Sequence, residues 1–247
     1  MLGPVELVDE VDSTNRVLID RARRGGAHGA VLVADHQTAG RGRLDRRWEA
    51  APGTALLVSV LLRPRLAAER AFLITFAAGL AAVAACEDVA GVRSLLKWPN
   101  DLVVADDLAT RKLAGLLAES VIEERTLAAL VVGMGLNLRP SPRVPPGGAT
   151  LEELAGRAVA RDDLLGAWLE HLARRLDQLE DGGDRALLAD YRQACTTLGR
   201  PVRVERPTGA VDGVALDVDA EGHLLVETAS GVQTFAAGDV THLRPGR

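Results

Sequence analysis

Sixteen consecutive residues, Ala71 to Cys86, carry no charge. A membrane span needs about 20 predominantly apolar residues. This run is shorter, rich in alanine, and contains Thr75 and Gly79. It predicts a buried core helix over 69–89, and the rest of the chain has to supply the layers that cover it. The material is there: 47% of the 247 residues are hydrophobic, enough for one large domain or one large and one small.

Short apolar runs flank that helix. Ala30–His36 and Ala55–Leu62 (ALLVSVLL, stopped by Pro64) predict buried strands. Ser94–Lys97 is extended, because Pro99 biases Trp98 away from helix. Leu102–Val104 and Leu113–Ile122 are expected to pair around a polar Asp106-Asp107 turn, with Thr126–Leu138 as a further strand. Asp12-Ser13-Thr14-Asn15 offers N-cap candidates for a helix that Gly25-Gly26 ends. Residues 139–149 (RPSPRVPPGGA) form a loop, and helical patterns follow at Leu151–Leu154, Asp162–Leu179 and Asp184–Cys195.

The last fifty residues change character. Pro201–Arg206, Ala210–Val218, His223–Thr228 and Val232–Ala236 are short strands divided by glycines, a spacing that suggests a small β-barrel. The composition thus reads as α+β with a β-rich tail, divided near 197 into domains 1–197 and 198–247.

Several classes are disfavoured. A net charge of −5 argues against general nucleic-acid binding, while leaving room for a local basic site. Two cysteines, Cys86 and Cys195, are too few for a disulfide framework and point to a reducing, cytoplasmic compartment. The first twelve residues are acidic and lack an apolar core, so neither a signal peptide nor membrane association is expected. Walker, HExxH, GxSxG and EF-hand patterns are absent.

What remains is a set of segments suited to anions and small polar ligands. Gly40-Arg41-Gly42-Arg43-Leu44-Asp45-Arg46-Arg47-Trp48 packs two glycines and four arginines into a poor helix and a poor strand. Such a loop can close backbone N–H groups and guanidinium forks around an anion. Lys97-Trp98-Pro99-Asn100-Asp101 crowds a cation, an indole, an amide and a carboxylate around a proline. Lys112 stands at the mouth of an apolar strand, where period-2 alternation puts it on one face with Ala114, Leu116 and Ala118. Gly133-Met134-Gly135-Leu136-Asn137 lacks the third glycine and the helix of a dinucleotide fingerprint, and two glycines within a buried strand suggest a close approach to the backbone.

In this order and at these separations, STN (13–15), GRGRLDRRW (40–48), KWPND (97–101), KLAGLLAE (112–119) and GMGLN (133–137) resemble the biotin protein ligase family, the biotin–[acetyl-CoA-carboxylase] ligases. The resemblance covers nearly the whole chain. Asp45 departs from it, standing where the family usually has glycine. The fold implied is a mixed sheet with helices, like that of class II aminoacyl-tRNA synthetases, followed by an SH3-like β-barrel. The chain begins at the catalytic region without a helix-turn-helix, so DNA binding is not expected.

The activity implied is ATP-dependent formation of biotinyl-5′-AMP and transfer of biotin to a lysine of a biotin carboxyl carrier domain. The resemblance assigns Ser13, Thr14 and Gln37 to the ureido head of biotin, with Asn15, Gly40, Gly115, Gly133 and Gly135 also at the biotin site. Arg41 and Arg43 would close over the biotin carboxylate and the α-phosphate, and Lys112 would contact the carboxylate and phosphoryl oxygens. Trp48 would stack on adenine, with Asn100 and Asn137 completing the nucleotide site and Lys97, Arg46 and Arg47 reaching phosphates. Asp101 would orient Lys97 or Asn100, hold Mg²⁺, or help deprotonate the acceptor lysine. Mg²⁺ is expected as the counter-ion of ATP, held largely by phosphates and water. Four like charges in one loop repel until an anion neutralises them, so biotin is expected to bind first and organise the ATP site. The rival readings are a lipoate or octanoate ligase or transferase of the same fold, a non-catalytic biotin-binding module, and a nucleic-acid-binding regulator.

Overall fold

A computed structural model describes residues 2–105, 110–124, 126–206 and 209–243; the expected Asp106-Asp107 turn lies outside them. Seven strands form one sheet: β1 (Val5–Val11), β2 (Val31–Gln37), β3 (Ala55–Leu62), β4 (Leu95–Lys97), β5 (Asp101–Ala105), β6 (Thr110–Glu123) and β7 (Thr126–Asn137). Their spatial order is β1-β2-β3-β7-β6-β5-β4. β1 and β2 run parallel, joined through helix α1 (Thr14–Arg23), and every other neighbouring pair is antiparallel.

β1 was not expected. It is an edge strand whose side chains are mostly exposed, so it carries no apolar alternation, and its backbone pairing to β2 alone defines it. By contrast β3, the run ALLVSVLL, is buried at all eight positions.

The uncharged run forms α2 (Phe72–Ala90), three residues later than expected because Ala68–Arg70 is a 3₁₀ turn. The 68–90 stretch is the one helix among the described residues long and apolar enough to cross a membrane, and 67% of its apolar window is buried within the protein. It lies between the sheet and α4 (Arg161–Glu180), whose Trp168 donates its indole N–H to the Ala78 carbonyl at 3.1 Å. α3 (Leu151–Ala155) and α5 (Asp184–Ala194) complete that layer. On the opposite face of the sheet, α1 packs Leu18, Ile19 and Ala22 against Leu32, Leu61 and Val131.

The tail is a second, antiparallel sheet of five strands: β8 (Pro201–Arg206), β9 (Gly209–Val218), β10 (Leu224–Thr228), β11 (Gly231–Phe235) and β12 (Asp239–His242), in the order β11-β10-β9-β8-β12. It encloses Val202, Val204, Ala215, Val218, Leu224, Val226, Phe235 and Val240, as an SH3-like domain does. β12 was not anticipated, since four residues with one buried valine show no periodicity.

Trp98 bolts this domain to the first. Its indole N–H donates to the Gly222 carbonyl at 3.1 Å, and its backbone N–H donates to the Thr197 hydroxyl at 3.0 Å. The indole is 1% exposed. Its place beside Pro99 therefore serves the seam between the two sheets.

Candidate active site

The Gly/Arg loop leaves the end of β2 and folds back on itself. The Trp48 N–H donates to the Gly40 carbonyl at 3.1 Å, and the Gly42 N–H donates to the Arg46 carbonyl at 2.7 Å. A Cβ at Gly40 would meet the Trp48 carbonyl oxygen at 2.3 Å, so this closure needs glycine there. Leu44 and Asp45 occupy the left-handed region, with φ of 54° and 58°. That conformation explains why glycine suits position 45, and aspartate is among the side chains that tolerate it best.

Beneath the loop lies a cavity with a polar end and a cationic end. At the polar end Ser13 starts α1 but makes no side-chain cap; its own N–H is taken by the Asp12 carboxylate at 2.6 Å. The Gln37 amide oxygen, from β2, accepts from the Thr14 N–H at 2.8 Å and the Thr14 hydroxyl at 3.1 Å. The expected capping hydroxyls thus face the cavity network. Ser59, fully buried on β3, donates to Asn15 Oδ1 at 2.6 Å and lies 2.7 Å from Thr14 Oγ1. Both N–H groups of the Asn15 amide are committed, to the Leu117 carbonyl at 3.1 Å and to Glu119 Oε2 at 2.9 Å.

The glycines of β6 and β7 make room for the protein's own side chains. A Cβ at Gly133 would lie 2.1 Å from Asn15 Oδ1. One at Gly135 would lie 2.5 Å from Trp48 Cε2, and one at Gly115 would lie 3.2 Å from Trp48 Cζ3. The Trp48 indole therefore lies flat against bare backbone, its N–H buried without a partner.

At the cationic end Lys112 Nζ sits 5.7 Å from the Trp48 ring centre and 2.7 Å from Asp101 Oδ1. Two expectations change here. Asp101 pairs with Lys112 and not with Lys97 or Asn100. A β-bulge pairs Leu102 with Ala114 but Val103 with Lys112, leaving Leu113 as the extra residue. Lys112 is thereby shifted off the face of Ala114 and Leu116, which join the α2 core, onto the face of Gly115. Simple period-2 counting cannot register an inserted residue.

Arg41 pairs with Glu119 Oε1 at 2.9 Å. Arg43 donates to the Asn100 amide oxygen at 3.5 Å and to the Gly238 carbonyl at 3.3 Å. Burial lowers the Arg43 pKa, partly offset by the charges of Asp101 and Asp239. Arg46 donates to Asp239 Oδ2 at 2.5 Å, which raises the Arg46 pKa. Burial pushes the Asp239 carboxyl up, but the Arg46 hydrogen bond and the charges of Arg46, Lys97 and Lys112 outweigh it and leave the net shift downward. The Asn100 amide donates to the Leu116 carbonyl at 2.6 Å, tying the β4–β5 turn to β6.

The structure thus brings Ser13, Thr14, Asn15, Gln37, Arg41, Arg43, Arg46, Arg47, Trp48, Asn100, Asp101, Lys112, Gly115, Gly133 and Gly135 to one cavity. Three expected residues stand outside its lining. Gly40 closes the loop behind it, and Lys97 lies toward the barrel, where its charge acts on Asp239 and His242. Asn137 is buried and donates to the Ala149 carbonyl at 3.2 Å, securing the 139–149 loop. Ser59, Glu119 and Asp239 were missed. Ser59 is the lone polar residue of ALLVSVLL, and Glu119 shares the parity of Gly115, signals that were available. Asp239 offered none, because only the docking of the barrel brings it to Arg46. Chemically, a set of cations against bare backbone, with a hydrogen-bonding end for a polar head group, can hold two anions together.

Residues 7–137 match the biotin/lipoate A/B protein ligase family, and residues 197–243 match the biotin protein ligase C terminal domain. A Mycobacterium tuberculosis protein named biotin–[acetyl-CoA-carboxylase] ligase is 37% identical, over 97% of this chain and 89% of its own length. A Paracoccus denitrificans protein of the same name is 30% identical over 95% of this chain and 98% of its own. The biotin protein ligase from Aquifex aeolicus in complex with biotin and ATP superposes with a TM-score of 0.81 at 26% identity, covering 99% of this chain and 100% of that one.

Proposed function

The chain belongs to the biotin/lipoate A/B protein ligase family, and from that premise we propose how its cavity works. The protein is an ATP-dependent biotin ligase: it activates biotin as biotinyl-5′-AMP and passes the biotinyl group to a carrier protein. A biotin carboxylate oxygen attacks the α-phosphorus of ATP while the bond to pyrophosphate breaks. The acceptor amine then attacks the acyl carbon, and AMP leaves. The acceptor is the lysine of a biotin carboxyl carrier domain of an acyl-CoA carboxylase. We assign catalysis to residues 1–197, with the barrel, 198–247, contributing Gly238 and Asp239 to the cavity rim, and the cytoplasm as the compartment.

The observation that carries this reading is Arg41, Arg43 and Lys112 converging on one cavity whose other end is built from Ser13, Thr14 and Gln37. Two anions must meet, and cations already held in place lower the Coulomb cost of bringing them together. Lys112, held by Asp101, stabilises the carboxylate and phosphoryl oxygens in both half-reactions. Arg41 and Arg43 close over the biotin carboxylate and the α-phosphate, Arg46 and Arg47 serve the departing pyrophosphate, and Trp48 stacks on adenine. Thr14 and Gln37 serve the ureido group, with Asn15 as their scaffold.

The carboxylates lining the cavity, Asp101 and Asp239, are each committed to a cation. Mg²⁺ therefore fits as the counter-ion of the triphosphate, held by phosphate oxygens and water, where it neutralises charge.

The polar head site disfavours a lipoate or octanoate substrate. A cysteine-based transferase is disfavoured too, because Cys86 and Cys195 are buried away from the cavity and burial pushes the Cys86 thiol up to about 12. The test is exchange of labelled pyrophosphate into ATP with Mg²⁺ present. Exchange that depends on biotin, with none from lipoate or octanoate, is the expected result; tight biotin binding without exchange would leave a binding module.

A further inference from the structure

Glu119 lies on β6, on the face that carries Gly115, and its two carboxylate oxygens serve two different partners. One oxygen takes the Arg41 guanidinium at 2.9 Å, and the other takes the Asn15 amide at 2.9 Å. Arg41 is otherwise a half-exposed side chain on a glycine-rich loop, with many rotamers open to it. Asn15 is buried, and through Ser59 it reaches Thr14, whose hydroxyl binds Gln37. One carboxylate therefore joins the Thr14–Gln37 end of the cavity to the guanidinium of the loop.

We propose that Glu119 is a positioning residue for biotin, acting through Arg41: it holds the guanidinium at the cavity wall and the Asn15 amide in register, so that both ends of the ligand meet prearranged partners. Resting on the ligase reading, this role also supplies a physical basis for biotin binding ahead of ATP. The Arg41 guanidinium is set against the head-group network, whereas Arg43 and Arg46 are set against the barrel. Preorganisation of this kind strengthens binding by removing the ordering cost that the ligand would otherwise bear.

Glu119→Gln is the discriminating change. Both partners of Glu119 are donors, and a glutamine amide offers one oxygen and one NH₂, so one partner is left facing a donor. The biotin Kd, measured by equilibrium dialysis with labelled biotin, should rise about tenfold, the scale of one charge-assisted hydrogen bond. In pyrophosphate exchange the KM for biotin should rise likewise, while kcat and the KM for ATP stay within about twofold. In an Arg41→Ala background the same change should cost less than about threefold, because the two residues act as a unit. Glu119→Asp, which keeps the charge, should recover part of the loss and serves as the probe if E119Q unfolds. Tighter biotin binding in E119Q would mean that Glu119 competes with the ligand for Arg41 and would overturn the proposal. So would an unchanged Kd, or a full tenfold loss persisting without Arg41. Biotin binding and exchange by the unaltered protein test the ligase reading separately: failure there sinks that reading, whereas success there with an unaffected E119Q sinks only the role of Glu119.

Discussion

Arg46 of the Gly/Arg loop and Asp239 of β12 meet at 2.5 Å, 193 residues apart in the chain. With the Arg43 hydrogen bond to the Gly238 carbonyl, this contact makes one edge of the terminal sheet part of the cationic end of the cavity.

Asp239→Asn removes the charge that holds Arg46 while preserving shape. Because both side chains are partly exposed, the effect on global stability should be small. The loop should feel it more: residues 40–48 should be cut faster in limited proteolysis, and the KM for ATP should rise about three- to tenfold. An unchanged cleavage rate would show that the barrel does not restrain the loop.

Lys112→Ala should lower kcat for exchange by about 10²–10³, the scale of losing one preorganised electrostatic contact to the transition state. Asp101→Asn should reproduce part of that loss, since it frees Lys112 from its 2.7 Å partner. Single-turnover formation of biotinyl-5′-AMP is the readout. Equal rates in wild type and K112A would remove Lys112 from the chemistry.

Gly133→Ala places a methyl group 2.1 Å from Asn15 Oδ1. Backbone and amide must both give way, so a destabilisation of about 1–3 kcal/mol is expected, together with weaker biotin binding. Gly135→Ala instead collides with the Trp48 indole at 2.5 Å and should weaken ATP more than biotin. Denaturant titration and separate KM values distinguish the two.

His242 supplies a pH signature. Burial, followed by the charges of Lys97 and Arg200, lowers its pKa from 6.5 to about 4, and its Nε2 lies 3.2 Å from the Thr197 hydroxyl. Between those values the unfolded chain binds a proton that the folded chain refuses. Stability therefore rises with pH across this window and is lost on acidification from about 6.5 to 4. As the ring is partly exposed, screening reduces the effect to about 1–2 kcal/mol. Urea unfolding at pH 7, 5.5 and 4.5 should show that slope, and His242→Gln should flatten it.

The legible parts of the fold were those with a strong local period. ALLVSVLL emerged as β3 at its expected ends, and the uncharged run emerged as the buried α2. β1 and β12 escaped because an exposed edge strand and a four-residue strand carry no period. Within the site, the Gly/Arg loop, Lys112 and the glycines of β6 and β7 were visible as residue types in order. Their partners were not. A bulge turned Lys112 to the other face, and the Asn137 amide donates to the 139–149 loop, a partner that no local pattern announces.

By itself, then, the sequence determined which chemistry the chain carries: four arginines in a glycine-rich loop, a lysine at a strand mouth, and hydroxyls and amides at a helix start. Those are properties of side chains and of local backbone freedom, which neighbours along the chain settle. Only the tertiary structure decided which group pairs with which: Asp101 with Lys112, Glu119 with Arg41 and Asn15, Asp239 with Arg46. Pairings of that kind depend on strand register and on the docking of one sheet against another. Those are set by burying apolar surface across the whole chain, and no single segment encodes them.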